Sequence, residues 1–111
     1  ETAPYGEAAV QALKKSGMGE KVQDRLVFGQ NVGQAFQYGR QGSADLAFVA
    51  RTYARSELGR QGTTWVLPEA PPVIQNACIL KHNGDRETVQ DFVAYLRTKE
   101  VKNILKTFGY E

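Results

Sequence analysis

The spacing of apolar and polar residues divides the chain into helical and extended segments. Apolar residues recur at helical spacing in segments that we predict to be helices, namely residues 4–15, 31–40, 87–97 and 99–107. Shorter helical segments are predicted over residues 18–24 and 52–58. Glycine follows the segments that end near residues 15, 40 and 58, as is common after a helix. Thr2 or a nearby residue is expected to cap the first helix, with Pro4 in its first turn.

Apolar runs between these helices predict β-strands. The runs cover residues 26–28, 45–50 and 63–68, and a loosely alternating run covers residues 73–81. The run over residues 45–50 is almost entirely apolar, as expected for a strand that is buried on both faces. Because strands that alternate with helices usually form mostly parallel sheets, we predict an α/β fold.

A proline-rich segment at residues 68–72 is the candidate boundary within the chain. Proline favours a stiff, extended connection there and disfavours a helix. The segment separates residues 1–70, a compact unit of strands and helices, from residues 71–111, a strand followed by two amphipathic helices. We therefore predict that these two ranges form separate structural parts.

Residues 29–36 contain the first candidate binding site. Gly29 and Gln30 end an apolar run, and Asn31, a residue type that often caps helices, precedes the predicted helix. The first amides of that helix have no carbonyl partner within it, and they follow a predicted strand, where ligands bind in open α/β sheets. Such a pattern can hold an anion through uncharged donors, but on these residues alone a capped turn without a ligand is the preferred interpretation. The helix start at Pro4 offers the same kind of site.

Composition and charge restrict the classes of partner. Of the 111 residues, 41% are hydrophobic and 23% are charged, which is typical of a folded domain. The formal net charge is +2 and the basic residues are scattered, so a nucleic-acid partner is not expected. No apolar run reaches the ~20 residues of a membrane helix and no signal peptide opens the chain. We therefore expect a mature or trimmed polypeptide without membrane insertion.

Catalytic and metal-binding chemistry is not expected either. Cys78 and His82 are the single residues of their kinds, so an internal disulfide is excluded and the ligand cluster of a zinc site is missing. Apolar neighbours favour an unreactive core thiol at Cys78, and polar neighbours favour a solvated turn at His82. The Gly-x-Ser-x-Gly elbow and glycine-rich phosphate loops are absent from the sequence. We predict no catalytic residue, no resident cofactor and no enzymatic activity.

Four motifs along the chain share the order and spacing of a known family. They are Thr-Ala-Pro-Tyr-Gly-Glu-Ala-Ala at residues 2–9, Gly-Gln-Asn-Val-Gly-Gln-Ala-Phe at 29–36, Ala-Asp-Leu-Ala-Phe-Val-Ala at 44–50 and Leu-Lys-Thr-Phe-Gly-Tyr-Glu at 105–111. Together they resemble the C-terminal half of periplasmic molybdate-binding proteins, the solute receptors of molybdate ABC importers. The resemblance implies a type II periplasmic-binding-protein-like lobe at residues 1–70, with a mostly parallel sheet flanked by helices. It also implies that residues 71–111 are a C-terminal strand-helix-helix arm that belongs to the other lobe.

The resemblance further implies an oxyanion site and its residues. In this family two lobes enclose molybdate or tungstate, and uncharged groups donate the hydrogen bonds. The donors of the second lobe correspond to the backbone amides of Tyr5 and Val32, and Asn31 is expected to act mainly as the helix cap. Some members add a tyrosine hydroxyl at the position of Ala50. That contact is therefore either absent here or replaced, for example by the Tyr5 side chain.

The first lobe of the family, with its serine or threonine donors, corresponds to sequence upstream of Thr2. We therefore expect a fragment that binds molybdate weakly or not at all by itself, in the periplasm, with an ABC permease as partner. The apolar stripe of the two last helices leads us to expect a homodimer through the C-terminal arm. Alternative interpretations are an effector-binding domain of a transcription regulator with the same two-lobed fold, and an enzyme of unknown type.

Overall fold

All regular secondary structure is helical in the computed structural model, which describes residues 3–84 and 86–111. The α-helices of these residues are α1 (Pro4–Lys15), α2 (Gly19–Val22), α3 (Val32–Arg40), α4 (Arg51–Arg55), α5 (Glu87–Leu96) and α6 (Lys99–Phe108). Short 3₁₀ turns occur at Gln23–Arg25, Gly59–Gln61 and Lys81–Asn83. The described residues fall into two compact units, one ending at Val73 and the other beginning at Ile74.

The helices predicted from apolar spacing are confirmed. The bounds of α1, α3, α5 and α6 agree with the prediction to within one residue. The segment predicted over residues 18–24 divides into α2 and a 3₁₀ turn, and α4 covers only the first part of the segment predicted over residues 52–58. The cap expected from Thr2 lies outside the described residues. Helix positions are therefore encoded locally in this chain.

The turn after α1 requires a glycine. Gly17 has a φ of +70°, a conformation that residues with a Cβ rarely adopt, and its amide donates to the carbonyl of Lys14 at 3.1 Å. Beyond this turn α2 packs against α1, and α1 buries Ala8 and Ala12. The two helices therefore form a small helical hairpin at the start of the first unit.

The predicted sheet is not formed by the described residues, so the prediction of an α/β lobe with a mostly parallel sheet is wrong. Residues 26–28, 46–50, 63–67 and 71–80 carry no regular secondary structure. The last of these ranges contains most of the strand predicted for the C-terminal strand-helix-helix arm. Of that arm, only the two helices α5 and α6 are present as regular elements in the described part of the chain.

The physical reason is that a strand needs a second backbone beside it. Neighbouring strands lie ~4.8 Å apart and pair through hydrogen bonds between amides and carbonyls. Within residues 3–84 and 86–111, no such hydrogen bond joins these four ranges to one another. Their large side chains are accordingly exposed, with exposed fractions of 69% for Val27, 78% for Leu46 and 71% for Trp65. The apolar pattern identified segments that favour burial, but it contained no information about their partners.

The second unit contains α5 and α6, which are joined by a tight turn at Thr98. The Thr98 hydroxyl donates to the carbonyl of Tyr95 at 2.7 Å and accepts from the amide of Val101 at 3.4 Å. Val101 is buried, whereas Phe92 and Phe108 have exposed fractions of 59% and 56%. Much of the apolar surface of this helix pair is therefore open to solvent. Its assignment to the arm of another lobe stays a prediction.

Candidate functional site

The start of α3 is capped by the side chain of Asn31, as predicted. Asn31 has an extended backbone with φ −155° and ψ 170°, and its Oδ1 accepts from the amide of Gln34 at 2.9 Å. Its backbone carbonyl accepts from the amide of Ala35 at 3.2 Å. A side-chain acceptor at this position satisfies an amide that the helix itself leaves without a partner.

The side chain of Gln34 holds the loop that precedes α3 through a second hydrogen bond. The Oε1 atom of Gln34 accepts from the amide of Gln30 at 2.6 Å, so Asn31 and Gln34 satisfy amides in both directions. This is a close variant of the capping box. Gly29 permits the close approach, since a Cβ there would lie 2.8 Å from the amide nitrogen of Ala35. The loop and the first turn of α3 are thereby held in one arrangement before any ligand arrives.

The amides of Val32 and Gly33 remain available at this helix start. They are the first two residues of α3, and neither amide has a hydrogen-bond partner among the described residues. Both residues are partly exposed, and the first turn of α3 contains no acidic residue. Adjacent amides at a helix N-terminus, without a nearby carboxylate, can donate together to an anion.

The side chain of Tyr53, from α4, lies over this same turn. A Cβ added at Gly33 would lie 3.0 Å from the Tyr53 hydroxyl oxygen and 3.2 Å from Asn31 Oδ1. The Tyr53 ring packs against Phe36 with a centroid distance of 5.1 Å and an angle of 30° between the ring planes. The absence of a side chain at Gly33 therefore leaves the space that the hydroxyl occupies.

Tyr53 was not predicted as a site residue from the sequence. Tyr53 and Gly33 are separated by 20 positions, and no periodic pattern relates them. Some family members have a tyrosine at the position of Ala50. Because alanine cannot supply that hydroxyl, the side chain of Tyr5 was predicted as a possible replacement. In the structure Ala50 is buried and forms the N-cap of α4, and Tyr53 follows one helical turn later.

Tyr5 lies in the first turn of α1 and is partly exposed. No hydrogen bond or ring contact links it to Asn31 or Val32 in the part of the chain that the structure describes. Asn31 and Val32 are thus adjacent at the start of α3, and no contact in the described residues brings Tyr5 to them. The first turn of α1 also carries Glu7, a negative charge that disfavours an anion there.

A cleft of about 260 Å³ lies at the opposite end of α1. It is lined by Lys14, Gly17, Gly19 and Glu20. Because its two charged residues have opposite signs, the cleft has no clear preference for an anion or a cation. It is also separate from the helix start that contains Tyr5. The cleft is therefore a poorer candidate for a ligand site than the start of α3.

The described residues show no cluster of metal ligands, and the two candidate side chains for metal or thiol chemistry, His82 and Cys78, are both exposed. The described residues contain no group of three or more His, Cys, Asp or Glu side chains that could hold a metal ion. His82 is exposed in the 3₁₀ turn Lys81–Asn83, as the sequence predicted. Cys78 is exposed and free, so the prediction of a core thiol was wrong. It lies within residues 71–80, where the predicted strand did not form.

A comparison with known protein families shows to which family this chain belongs. Residues 1–111 match the family described as bacterial extracellular solute-binding protein. This chain belongs to that family. Membership indicates a periplasmic location, and the resemblance predicted from the four motifs is confirmed. Among the residues that the structure describes, no helix is long and apolar enough to span a membrane.

Curated relatives of this solute-binding family member cover nearly all of its length. The molybdate-binding protein ModA of Azotobacter vinelandii is 38% identical over 98% of this chain and 44% of its own length. ModA of Rhodobacter capsulatus is 31% identical over 98% of this chain and 43% of its own length. YvgL of Bacillus subtilis, provisionally named an ABC transporter substrate-binding lipoprotein, is 25% identical over 99% of this chain and 43% of its own length. The chain thus spans less than half the length of these relatives, and no solved structure matches it.

Proposed function

We propose that this chain is an oxyanion-binding part of the solute receptor of an ABC importer, with molybdate or tungstate as its ligand. Two relatives are named as molybdate-binding proteins, and a third is provisionally named as a substrate-binding component of an ABC transporter. The structural observation that supports the proposal is the pair of unbonded amides of Val32 and Gly33 at the capped start of α3.

The electrostatics of α3 suit a doubly charged oxyanion. The N-terminus of a helix carries a partial positive charge, and α3 has no acidic residue in its first turn to oppose it. Neutral amides can bind such an anion without a lysine or arginine, because each hydrogen bond to a charged group contributes ~1.5–3 kcal/mol. The ligand is thus held by donors whose positions are determined by the backbone.

The residues take separate roles in this proposal. The amide of Val32 donates to the oxyanion, and the adjacent amide of Gly33 is positioned to donate beside it. Asn31 acts on the ligand indirectly, since its side chain holds the Gln34 amide and so maintains the helix start. A donor role for the amide of Tyr5 rests on the family resemblance alone.

We expect the chain by itself to bind the oxyanion weakly. Its relatives are more than twice as long, since it covers 43% to 44% of them. The family resemblance implies that two lobes enclose the ligand and that the other lobe supplies hydroxyl donors. Binding without two such donors is expected to be weaker by roughly two to four orders of magnitude. An ABC permease is the protein partner that the proposed function requires, and we propose no cofactor besides the oxyanion ligand.

A homodimer through the C-terminal arm also stays a proposal. It is supported by the exposed apolar residues on α6, where Ile104, Leu105 and Phe108 have exposed fractions of 46%, 42% and 56%. Contact between two copies would remove this surface from water. Light scattering is expected to give the mass of a dimer, and a monomer at all accessible concentrations would contradict this part of the proposal.

The test of the proposed function is a titration of the ¹⁵N-labelled chain with molybdate, followed through backbone amide chemical shifts. This measurement detects binding in the millimolar range as well as tighter binding. We expect the amides of Val32 and Gly33 to shift most, with tungstate giving a similar pattern and chloride at equal ionic strength giving none. Isothermal titration calorimetry that gave a micromolar or tighter constant would contradict the expectation of weak binding.

Two outcomes would reject the proposed site. If molybdate shifts no amide, the chain lacks an oxyanion site. If it shifts amides elsewhere and leaves the start of α3 unchanged, the ligand is bound at a different position. The alternative of an effector-binding domain of a transcription regulator is not favoured, since the relatives described above are named for ligand binding and transport.

A further inference from the structure

We infer that residues 63–67 are an interaction surface for a second copy of this chain, which pairs with the same residues in antiparallel orientation. These residues, Thr-Thr-Trp-Val-Leu, lie in the first unit and are called the Trp65 segment below. The contact is separate from the homodimer proposed through the C-terminal arm, which lies in the second unit. It also differs from a sheet within one chain, because its two strands come from different copies.

The backbone of the Trp65 segment has free hydrogen-bonding groups. Among the described residues, the amides of residues 63–67 and the carbonyls of residues 63–66 have no hydrogen-bond partner. The segment begins after Gly62, whose backbone is already extended with φ −108° and ψ 179°. It ends where the Leu67 carbonyl accepts from the amide of Ala70 at 3.2 Å. Because strands pair through free amides and carbonyls, a second backbone can join this one.

The side chains of the Trp65 segment are exposed and uncharged. The exposed fractions of Trp65, Val66 and Leu67 are 71%, 72% and 42%. β-Branched and aromatic residues such as these favour an extended backbone, and no residue in the range 61–68 is charged. An exposed apolar segment without charge or internal proline favours pairing with another strand.

The accessible surface of the chain is large enough to require a partner. The chain has a mass of 12.3 kDa and exposes 9439 Å², whereas a folded monomer of that mass exposes ~6,100 Å². Counting the two compact units as separate molecules raises the expected value only to ~7,200 Å². The remaining excess of about 2,200 Å² is larger than the ~800 Å² that each partner buries in a standard protein–protein interface.

The sequence of the Trp65 segment is suited to pairing with itself. In an antiparallel pair centred on Trp65, this residue lies opposite its own counterpart. Thr64 then lies opposite Val66, and Thr63 lies opposite Leu67, each pair occurring twice. Aromatic and β-branched pairs across two strands stabilise the contact, and no like charges oppose one another. Because both copies use the same surface, the contact closes as a two-fold dimer.

The other ranges without regular secondary structure fit a second copy less well. Residues 26–28 form a very short segment, and residues 46–50 end at Ala50, which is buried. Residues 71–80 begin with two prolines, which have no amide to donate, and they cross the boundary between the two units. The Trp65 segment therefore has the best combination of length, exposure and free backbone groups.

The experiment combines light scattering with Trp65 fluorescence over a series of protein concentrations. Trp65 is the single tryptophan of the chain, so its emission reports on this segment directly. The native chain is compared with Phe108→Lys, since a charge at this exposed residue opposes contact through the apolar face of α6. In Phe108→Lys we expect the mass of a dimer. As the dimer forms, Trp65 emission should move to shorter wavelength and acrylamide should quench it less.

Val66→Lys tests the surface, and Val27→Lys is the matched control. Both valines lie in the first unit, with exposed fractions of 72% and 69%. In the Phe108→Lys chain, Val66→Lys is expected to raise the dissociation constant of the dimer about tenfold or more, because a lysine on a strand edge opposes pairing. Val27→Lys should change this constant less than about twofold. Circular dichroism of the monomers should stay the same, since both side chains are exposed.

Adding Thr64→Glu to Val66→Lys tests the antiparallel orientation. In that orientation the new glutamate of one copy faces the new lysine of the other, twice in each dimer. We therefore expect the double variant to bind its second copy about fivefold or more tightly than Val66→Lys alone. In a parallel pair like charges would face each other, and no such gain would occur.

The inference is overturned if Phe108→Lys stays monomeric at all accessible concentrations, or if its dimer forms without a change in Trp65 emission. Equal losses from Val66→Lys and Val27→Lys would overturn it too, as would the absence of a gain from Thr64→Glu. Growth of the Phe108→Lys assembly beyond a dimer would contradict the closed two-fold pair. Because these measurements contain no molybdate, their outcome is independent of the proposed function.

Discussion

The starts of α1 and α3 were both predicted as anion sites, and the structure shows how their first turns differ. At α3, Asn31 caps the helix with its side chain and the first turn has no acidic residue. At α1, the N-cap residue Ala3 makes no side-chain bond, and the first turn carries Glu7. The cap at α3 occupies the Gln34 amide and no side chain caps α1, so free amides alone do not distinguish the two starts. The neutral first turn is the feature that favours an anion at α3 over α1.

Of the variants that test this comparison, one that adds a negative charge to the first turn of α3 is expected to change molybdate affinity most. Gln34→Glu keeps an oxygen that can accept from the Gln30 amide, but it gives the first turn of α3 a carboxylate like that of α1. Unit charges about 4 Å apart repel by on the order of 1–4 kcal/mol near a protein surface, so we expect molybdate affinity to fall at least tenfold. The melting temperature should stay equal or rise, since carboxylates stabilise helix N-termini.

Gln37→Glu is the control for this variant, because it makes the same charge change one turn further along α3. Its effect in the same chemical-shift titration should be clearly smaller. If Gln34→Glu binds molybdate as the native chain does, the charge of the first turn does not distinguish α3 from α1.

Removing the cap of α3 has an intermediate expected effect. Asn31→Ala leaves the Gln34 amide without its acceptor and is expected to reduce stability by about 1 kcal/mol. Because the helix start then frays, molybdate affinity should fall by about fivefold, the binding equivalent of that free energy. Hydrogen exchange of the Gln34 amide should become faster, which measures the loss of the cap directly.

Thr98→Ala removes the corresponding cap from α6, where the Thr98 hydroxyl accepts from the Val101 amide. It should accelerate exchange at Val101 and leave molybdate binding unchanged. A loss of affinity in this variant as large as in Asn31→Ala would mean that the caps act through general stability and not through the site at α3.

Removing the negative charge from α1 has the smallest expected effect. Glu7→Gln makes the first turn of α1 neutral, as that of α3 is. A charge near a helix end changes interaction energies by ~0.3–1 kcal/mol, so the response of the Tyr5 amide to molybdate should increase about two- to fivefold. Glu20→Gln, which removes a charge from α2, should have no such effect. An unchanged Tyr5 response in both variants would indicate that Glu7 is not what disfavours the anion at α1.

The predictions from sequence succeeded where the interactions are local. The Asn31 cap was predicted from residue type and position because its hydrogen bond spans only three residues. The bounds of α5 and α6 were predicted for the same reason, since apolar residues at helical spacing and the turn between the helices lie within one short segment. The family was also recognised from four short motifs in order.

The predictions failed where a distant partner was needed. The apolar runs that contain Val27, Leu46 and Trp65 were read as strands, yet no backbone pairs with them in the described ranges, and these side chains are exposed. The exposure of Cys78 follows from the same error, because its burial depended on a strand that did not form.

The amino-acid sequence by itself determined the helices, the cap on α3, the neutral first turn and the family. The helices, the cap and the neutral first turn arise from hydrogen bonds and charges within three or four residues of one another, whereas the family was recognised from four motifs in order. Only the tertiary structure decided that the predicted sheet is absent from the described residues and that Tyr53 lies over Gly33. Those outcomes depend on the path of the chain, since Tyr53 and Gly33 are 20 positions apart and the Tyr53 ring reaches α3 through its contact with Phe36.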